Sequence, residues 1–368
     1  MSLDPWLTVL QAAPPGAHRW LELIETEGSI ERILGLSRQE MLQAGLGEGD
    51  IEKLRAPDHE RLRRWRDWLD AEPDRKLVTF GSAGYPDLLK ELPEAPLALW
   101  AQGARMELLK SPQLAMVGSR TPTVSGRETA GRFARYLSDR GLTITSGLAT
   151  GIDGASHAGA LAGSAGTIAV LGSGLDQLYP RTHEDLARAI VAAGVIVSEY
   201  PPGTPARAPH FPQRNRIIAG MSTGTLVVEA ARRSGSLITA RLAGEYGREV
   251  FAIPGSIHNP MARGCHRLIR DGAKLVEDAA DVLVELAPLL QLAFDAEEPR
   301  VESPAVAGAL TDEPSYKELL TALGYDPCSI TVLARRTGLT AAELSSMLLL
   351  LEMEGLVEAM PGGRYSRL

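Results

Sequence analysis

The chain has 368 residues, 44% of them apolar, with a net charge of −8 and only two cysteines. That length exceeds one ordinary domain, and the apolar content is enough to build real cores. No run of eighteen apolar residues occurs and the N-terminus lacks a basic segment leading into an apolar one. Neither a membrane span nor a signal peptide is therefore expected, and the protein is assigned to the cytoplasm. Cys265 and Cys328 stand far apart without a C-x-x-C partner, which argues against a structural zinc or a disulfide framework, so no metal or cofactor is expected.

An acidic chain is a poor candidate for nucleic acid, because phosphate binding needs local positive potential. The distribution of charge changes that reading. Between Ala206 and Arg270 ten arginines stand against three glutamates, a local +7 that leaves −15 for the rest.

In chain order, residues 1–72 read as small helices: Trp6 to Ala12, Arg19 to Thr26, Ser29 to Leu34, Arg38 to Ala44, and Glu48 to Arg55 running on to Leu69. Ser37 and Glu40 form a capping box. The piece LGLSRQEMLQAGLGEGDIEKL is similar to SAM-like or helix-hairpin-helix segments, whose glycine turns can touch DNA backbone; a docking unit without such contact is the alternative. After AEPDR at 71–75, three prolines in a dozen residues predict extended, irregular chain, and Leu97 to Trp100 reads as a strand at a sheet edge.

From Leu114 to Asp153 a strand–turn–helix layout occurs twice. The apolar run Leu114 to Val117 breaks at Gly118-Ser119-Arg120-Thr121, and a helical pattern follows from Thr123 to Arg140. A second run, Leu142 to Thr145, breaks at Ser146-Gly147 into a turn carrying Gly151 and Asp153. Repeated βα units mean a parallel sheet. In such sheets ligands sit at the carboxyl ends of the strands, where free helix N–H groups attract anions. Arg120 adds a guanidinium able to fork onto a phosphate. The rival reading is that the glycines only tighten turns and Arg120 is a solvated surface charge.

Further strands are expected at Thr167 to Leu171, Val195 to Ser198, Thr225 to Val228, Arg248 to Ile253 and Ala273 to Val276, with Thr182 capping a helix to Ala193. His157, alone on its helix, reads as a packed residue. Five prolines between 201 and 212 forbid regular structure there, so Arg214, Asn215 and Arg216 are expected to open a short helix at its positive end. Helix dipoles disfavour cations at that end by up to ~1 kcal/mol, and an anionic partner would explain the placement. An internal salt bridge to Glu199 or Glu229 is the rival reading. Phe211 offers a flat face for a stacked base, or a staple onto its own helix. The turn at 231–240 repeats the Ser-Gly theme with Arg233, Ser234 and Gly235.

Residues 293–314 are acidic and aperiodic, a linker. Residues 315–368 read as a winged helix: a helix at Ser329 to Ala334, a turn at Thr337-Gly338, a capped helix Thr340 to Glu354, and a β wing around Gly362-Gly363. The supposed recognition helix has no basic residue, which favours protein contact over groove reading.

VGSR (117–120), SGLATGID (146–153), AVLGSGLDQLYP (169–180), SEYPPG (198–203), FPQRNRIIAG (211–220), VVEAARRSGSLITA (227–240) and AIPGS (252–256) together resemble the DprA/Smf DNA-processing family, in unbroken order over about residues 77–280. The resemblance implies an α/β fold, an extended Rossmann-like, doubly wound, mostly parallel sheet over 73–292. It also implies a homodimer that binds single-stranded DNA and loads RecA recombinase during natural transformation, without hydrolysis, with single-strand-binding protein as a further candidate partner. The family's arginine falls on Arg120, and its basic helix motif on Arg214, Asn215 and Arg216. Family lysines at the rim are replaced here, with Arg181, Arg207 or Arg233 as stand-ins.

Two other readings compete. Gly224, Thr225 and Glu229 are similar to the turn and glutamate of LOG-type phosphoribohydrolases, but Gly220-Met221-Ser222 stands where those have PGG. A pure interaction scaffold leaves the +7 segment unexplained.

Overall fold

The computed structural model describes residues 3–16, 18–290, 313–324 and 327–367. Its centre is a nine-stranded sheet: β1 Arg75–Thr79, β2 Ala98–Gln102, β3 Gln113–Val117, β4 Thr143–Ser146, β5 Thr167–Leu171, β6 Val195–Ser198, β7 Gly224–Val227, β8 Glu249–Ala252 and β9 Lys274–Leu275. The spatial order is β1-β2-β6-β5-β4-β3-β7-β8-β9. All pairs from β6 to β9 are parallel, while β1–β2 and β2–β6 are antiparallel. Strands β3 to β7 are buried along their whole length, as expected of parallel strands covered by helices on both faces. The chain lays down β3 to β6 in one direction and then returns to the other side of β3 for β7. That reversal opens a crevice at the carboxyl ends beside β3.

The strand near Leu97 is not at an edge. It lies between β1 and β6, and the edge is β1, whose exposed Lys76 suits a solvated margin.

Helices α1 to α6 span Asp4–Ala12, His18–Glu27, Ile30–Gly35, Arg38–Gln43, Glu48–Arg55 and His59–Asp70. The last two were expected as one. Pro57 breaks them, and Asp58 accepts from the Arg61 N–H at 3.0 Å to begin α6. The Ser37–Glu40 capping box is present, its two bonds 2.7 and 3.2 Å long. These helices dock on the sheet. Trp65 meets Trp100 edge-on with ring centres 5.6 Å apart, the Trp65 indole donates to the Pro202 carbonyl at 3.2 Å, and the Gly16 N–H donates to Glu199 at 3.0 Å.

A short helix, α7 (Asp87–Lys90), interrupts the proline-rich stretch that was expected to be irregular. Around the sheet lie α8 Val124–Asp139, α9 Ile152–Leu161, α10 Glu184–Ala193, α11 His210–Met221, α12 Ser236–Glu245, α13 Arg263–Arg270 and α14 Ala279–Leu290. Thr182 does not cap α10; a 3₁₀ turn over Arg181–His183 leads into it, and no side chain caps its start. Most of the expected linker, 293–312, lies outside the described residues.

The C-terminal unit is a winged helix: α15 Pro314–Leu323, α16 Ile330–Thr337, α17 Ala341–Met353, and strands β10 Cys328–Ser329, β11 Val357–Met360 and β12 Arg364–Arg367 in the order β10-β12-β11. Leu319, Leu333, Leu344, Leu348, Leu351 and Val357 fill its core. Thr340 and Glu343 form the expected capping box, and Gly362 and Gly363 turn the wing with φ of +87° and +66°.

Helices α8 and α9 approach backbone to backbone where Gly159 faces Gly131, and a Cβ at 159 would overlap the Gly131 carbonyl. Gly159→Val should force the helices apart and destabilise the protein by about 1–3 kcal/mol, read as a lowered unfolding temperature.

Candidate nucleic-acid interface

Because the central strands are parallel, every loop leaving a carboxyl end emerges on one side of the sheet. Arg120 leaves β3, Arg181 follows β5, Arg207 follows β6, Arg232 and Arg233 follow β7, and Arg263 follows β8, all exposed. None of the six forms a salt bridge among the described residues. Some surface arginines elsewhere are paired, as Arg188 with Glu184 and Arg241 with Glu245, while others, such as Arg63, Arg127 and Arg132, also form no salt bridge among the described residues; the rim is set apart by convergence from separate loops. These cations converge from separate loops with no carboxylate partner among the described residues.

An aromatic platform lies among them. The half-buried Phe211 rests against Gly172, where a Cβ would stand 3.3 Å from the ring. The Arg120 guanidinium lies 5.5 Å over the Phe211 ring, and Tyr179, 50% exposed, is tilted beside it at 5.6 Å. Cation–π contact orients Arg120, and the exposed rings suit base stacking. Tyr179 falls within the AVLGSGLDQLYP stretch (169–180) but was not among the residues the sequence picked out for the site.

Beneath this layer the structure departs from expectation. Helix α11 begins at His210, so Pro212 is its third residue. A proline is tolerated there because the first-turn N–H groups have no intrahelical acceptor. Arg214 and Arg216 therefore fall in the second turn and point inward, 4% and 5% exposed. Arg214 Nη1 donates to the Gly147 carbonyl at 2.5 Å and to the Val170 carbonyl. Burial pushes its guanidinium down to about 10, which leaves it charged at neutral pH. Arg216 meets Glu199 at 2.5 Å with both side chains buried, the internal salt bridge that was the rival reading. Asn215, half-buried, reaches the Gly235 carbonyl at 3.4 Å.

The expected free amides are also occupied. The Asp153 carboxylate accepts from the Gly147 N–H at 3.1 Å and the Ala149 N–H at 3.4 Å, and burial raises its pKa against the pull of Arg214. Glu229 accepts from the Thr123 N–H at 2.9 Å and its hydroxyl at 2.7 Å, holding the start of α8. A Cβ on Gly126 would run into that carboxylate. Ser146 is buried and donates to the Met116 carbonyl at 2.6 Å, while the Ser119 hydroxyl accepts from the Thr121 N–H at 3.1 Å. Gly118 leaves room for Ile152, and Gly151, with φ +83°, starts α9. Ser234 shares a hydrogen bond with Ser236 at 2.7 Å beside the exposed Gly235. The outer surface thus comprises Arg120, Thr121, Phe211, Arg207, Arg233, Ser234 and Gly235. Ser119, Ser146, Gly147, Arg214 and Arg216 form its foundation.

His157 is packed as expected. Its Nε2 accepts from the Leu148 N–H at 3.3 Å, so Nδ1 carries the proton towards Thr167 Oγ1 at 2.7 Å. Burial lowers its pKa to about 3, so only the unfolded chain gains a proton between the ordinary histidine value and pH 3. Stability contributed by the neutral ring is complete above about pH 6.5 and falls as the pH drops towards 3. His157→Gln should flatten that acid limb in melting curves recorded against pH. Arg214→Met should cost about 3–5 kcal/mol by stranding Asp153 and two carbonyls, seen as a lowered melting temperature without any ligand present.

Residues 76–287 match the family described as DNA recombination-mediator protein A, and residues 303–363 match the DprA winged helix domain. Protein Smf of Escherichia coli K12 is 44% identical over 302 residues, covering 82% of this chain and 79% of that protein. The X-ray structure of DNA processing protein A from Streptococcus pneumoniae superposes with a TM-score of 0.64 at 37% identity, over 76% of this chain and 95% of that one. A Helicobacter pylori DNA processing protein A structure, described for its single-stranded DNA binding mode, gives 0.53 at 27% identity over 58% and 96%. With more than half its length matched in one piece, and a relative this similar over four-fifths of the chain, the protein is a member of the DNA recombination-mediator protein A family.

Proposed function

We propose that this chain binds single-stranded DNA along the carboxyl-end rim and acts as a non-catalytic mediator, holding incoming strands as a homodimer and loading RecA onto them, with single-strand-binding protein as a further partner. The observation that carries the reading is the row of exposed, unpaired arginines flanking the Arg120–Phe211–Tyr179 platform. Guanidinium groups neutralise backbone phosphates without regard to sequence, and the rings stack on any base. The single-strand binding described for the Helicobacter pylori relative supports the choice of strand. Absence of hydrolysis is supported by Glu229, the residue a phosphoribohydrolase would need, being committed to the first turn of α8.

The test is fluorescence anisotropy of labelled (dT)20 across a salt series. The wild type should bind with a steep salt dependence, unlabelled duplex should not displace the strand, and Arg120→Ala should weaken binding about tenfold, ~1.4 kcal/mol. Each rim arginine removed should reduce the salt slope by about 0.7. Binding indifferent to Arg120 and Arg233 would move the site elsewhere.

A further inference from the structure

Helix α17 occupies the place of a recognition helix in the winged fold, and its two faces differ in kind. Leu344, Leu348 and Leu351 enter the core of the unit. On the opposite face Ala342, Ser346, Leu349 and Met353 recur at steps of four, three and four residues, which makes one continuous stripe. Leu349 is 57% exposed and Met353 77%, and Leu350 at 43% widens the stripe. Ser345 and Ser346 turn their hydroxyls back to the Ala341 and Ala342 carbonyls at 2.8 and 3.1 Å, so that end is small and asks for no hydrogen bond from outside. At about 100° per residue, Glu352 falls on one flank of the stripe, and Glu343 and Glu354 fall on the other. No basic residue lies on the helix.

An apolar stripe between two acidic margins restricts what can cover it. Nucleic acid and anionic lipid headgroups meet the same repulsion from the three carboxylates. A second α17 would set glutamates against glutamates on both margins, whichever way the two helices ran. A helix whose own apolar stripe is bordered on both sides by lysine or arginine meets neither obstacle, and it gains opposite charge along each margin. We propose that the outer face of α17 docks a basic amphipathic helix of a partner protein, with Leu349, Leu350 and Met353 taking its apolar residues. The unbranched Met353 adapts to the shape of what meets it, and the small Ala342 and Ser346 let the partner's backbone come close.

Two labelled peptides built from leucine and lysine in equal number serve as probes, one with its leucines at helical spacing and the other, of the same composition, with leucine and lysine alternating. Because their charge is equal, a difference between them reads the stripe and not a general attraction to an acidic chain. By fluorescence anisotropy the wild type should bind the helical-period peptide about tenfold more tightly. Leu349→Ser combined with Met353→Ser should remove that preference while the melting temperature and the affinity for (dT)20 stay unchanged, both positions being exposed. Glu352→Gln with Glu354→Gln should weaken binding about threefold and flatten its salt dependence, with Glu343 left in place because it caps the helix. Equal binding of the two peptides by the wild type, or a preference that survives in the Leu349→Ser, Met353→Ser variant, overturns the docking face. A self-association of the wild type that this variant loses, seen by sedimentation velocity, gives the stripe to a second copy of the chain and overturns the basic partner. Pelleting with phosphatidylglycerol vesicles that depends on the same two residues gives it to lipid and overturns the partner as well.

Discussion

The structure depends on one buried guanidinium. Arg214 ties the carbonyl of Gly147, in the turn after β4, to that of Val170 in β5, and faces the carboxylate of Asp153. Taking a charge so far from water is expensive, and the cost is met because carbonyls and a carboxylate surround it. Gly147 has to be glycine, since any Cβ would collide with the guanidinium. The turn is therefore shaped from within, by a residue of a helix that follows much later in the chain. Glu229 does the same for α8, reaching from the end of β7 to the first turn of a helix laid down a hundred residues earlier.

These two internal polar anchors explain which parts of the protein were legible in its sequence. The βα order, both capping boxes, the wing and the parallel sheet follow from local patterns: apolar runs ending in glycine, Ser or Thr three residues before Glu, and paired glycines between short strands. Strand ends at Thr167, Leu171, Val195 and Ser198 fall where the apolar runs predict. The position of β2 could not be read locally, because an edge strand and its neighbour look alike until pairing with β1 is known.

The rim was legible in its location and only partly in its chemistry. Arg120 and Phe211 were chosen for charge and flatness, and the structure brings them together. Arg214 and Arg216 were chosen by the same argument and lie inside. The error came from treating Pro212 as a barrier: once the helix starts at His210, the arginines move one turn inward and meet Gly147 and Glu199. A sequence shows charge but not which way a helix faces. The free amides failed for a related reason, since Asp153 and Glu229 are ordinary acidic residues until the fold carries them to Gly147 and Thr123.

Filling the start of α8 and the turn before α9 with the protein's own carboxylates has a consequence for any strand that lies over them. Its phosphates would meet long, bendable side chains from five separate loops rather than a rigid cradle of amides. Such a surface sets no fixed register, so a strand could shift along it in small steps. It could also be peeled away loop by loop, each release exchanging one guanidinium for counterions from solution. A polymer held in that manner can be taken over from one end by a second protein without ever being let go all at once.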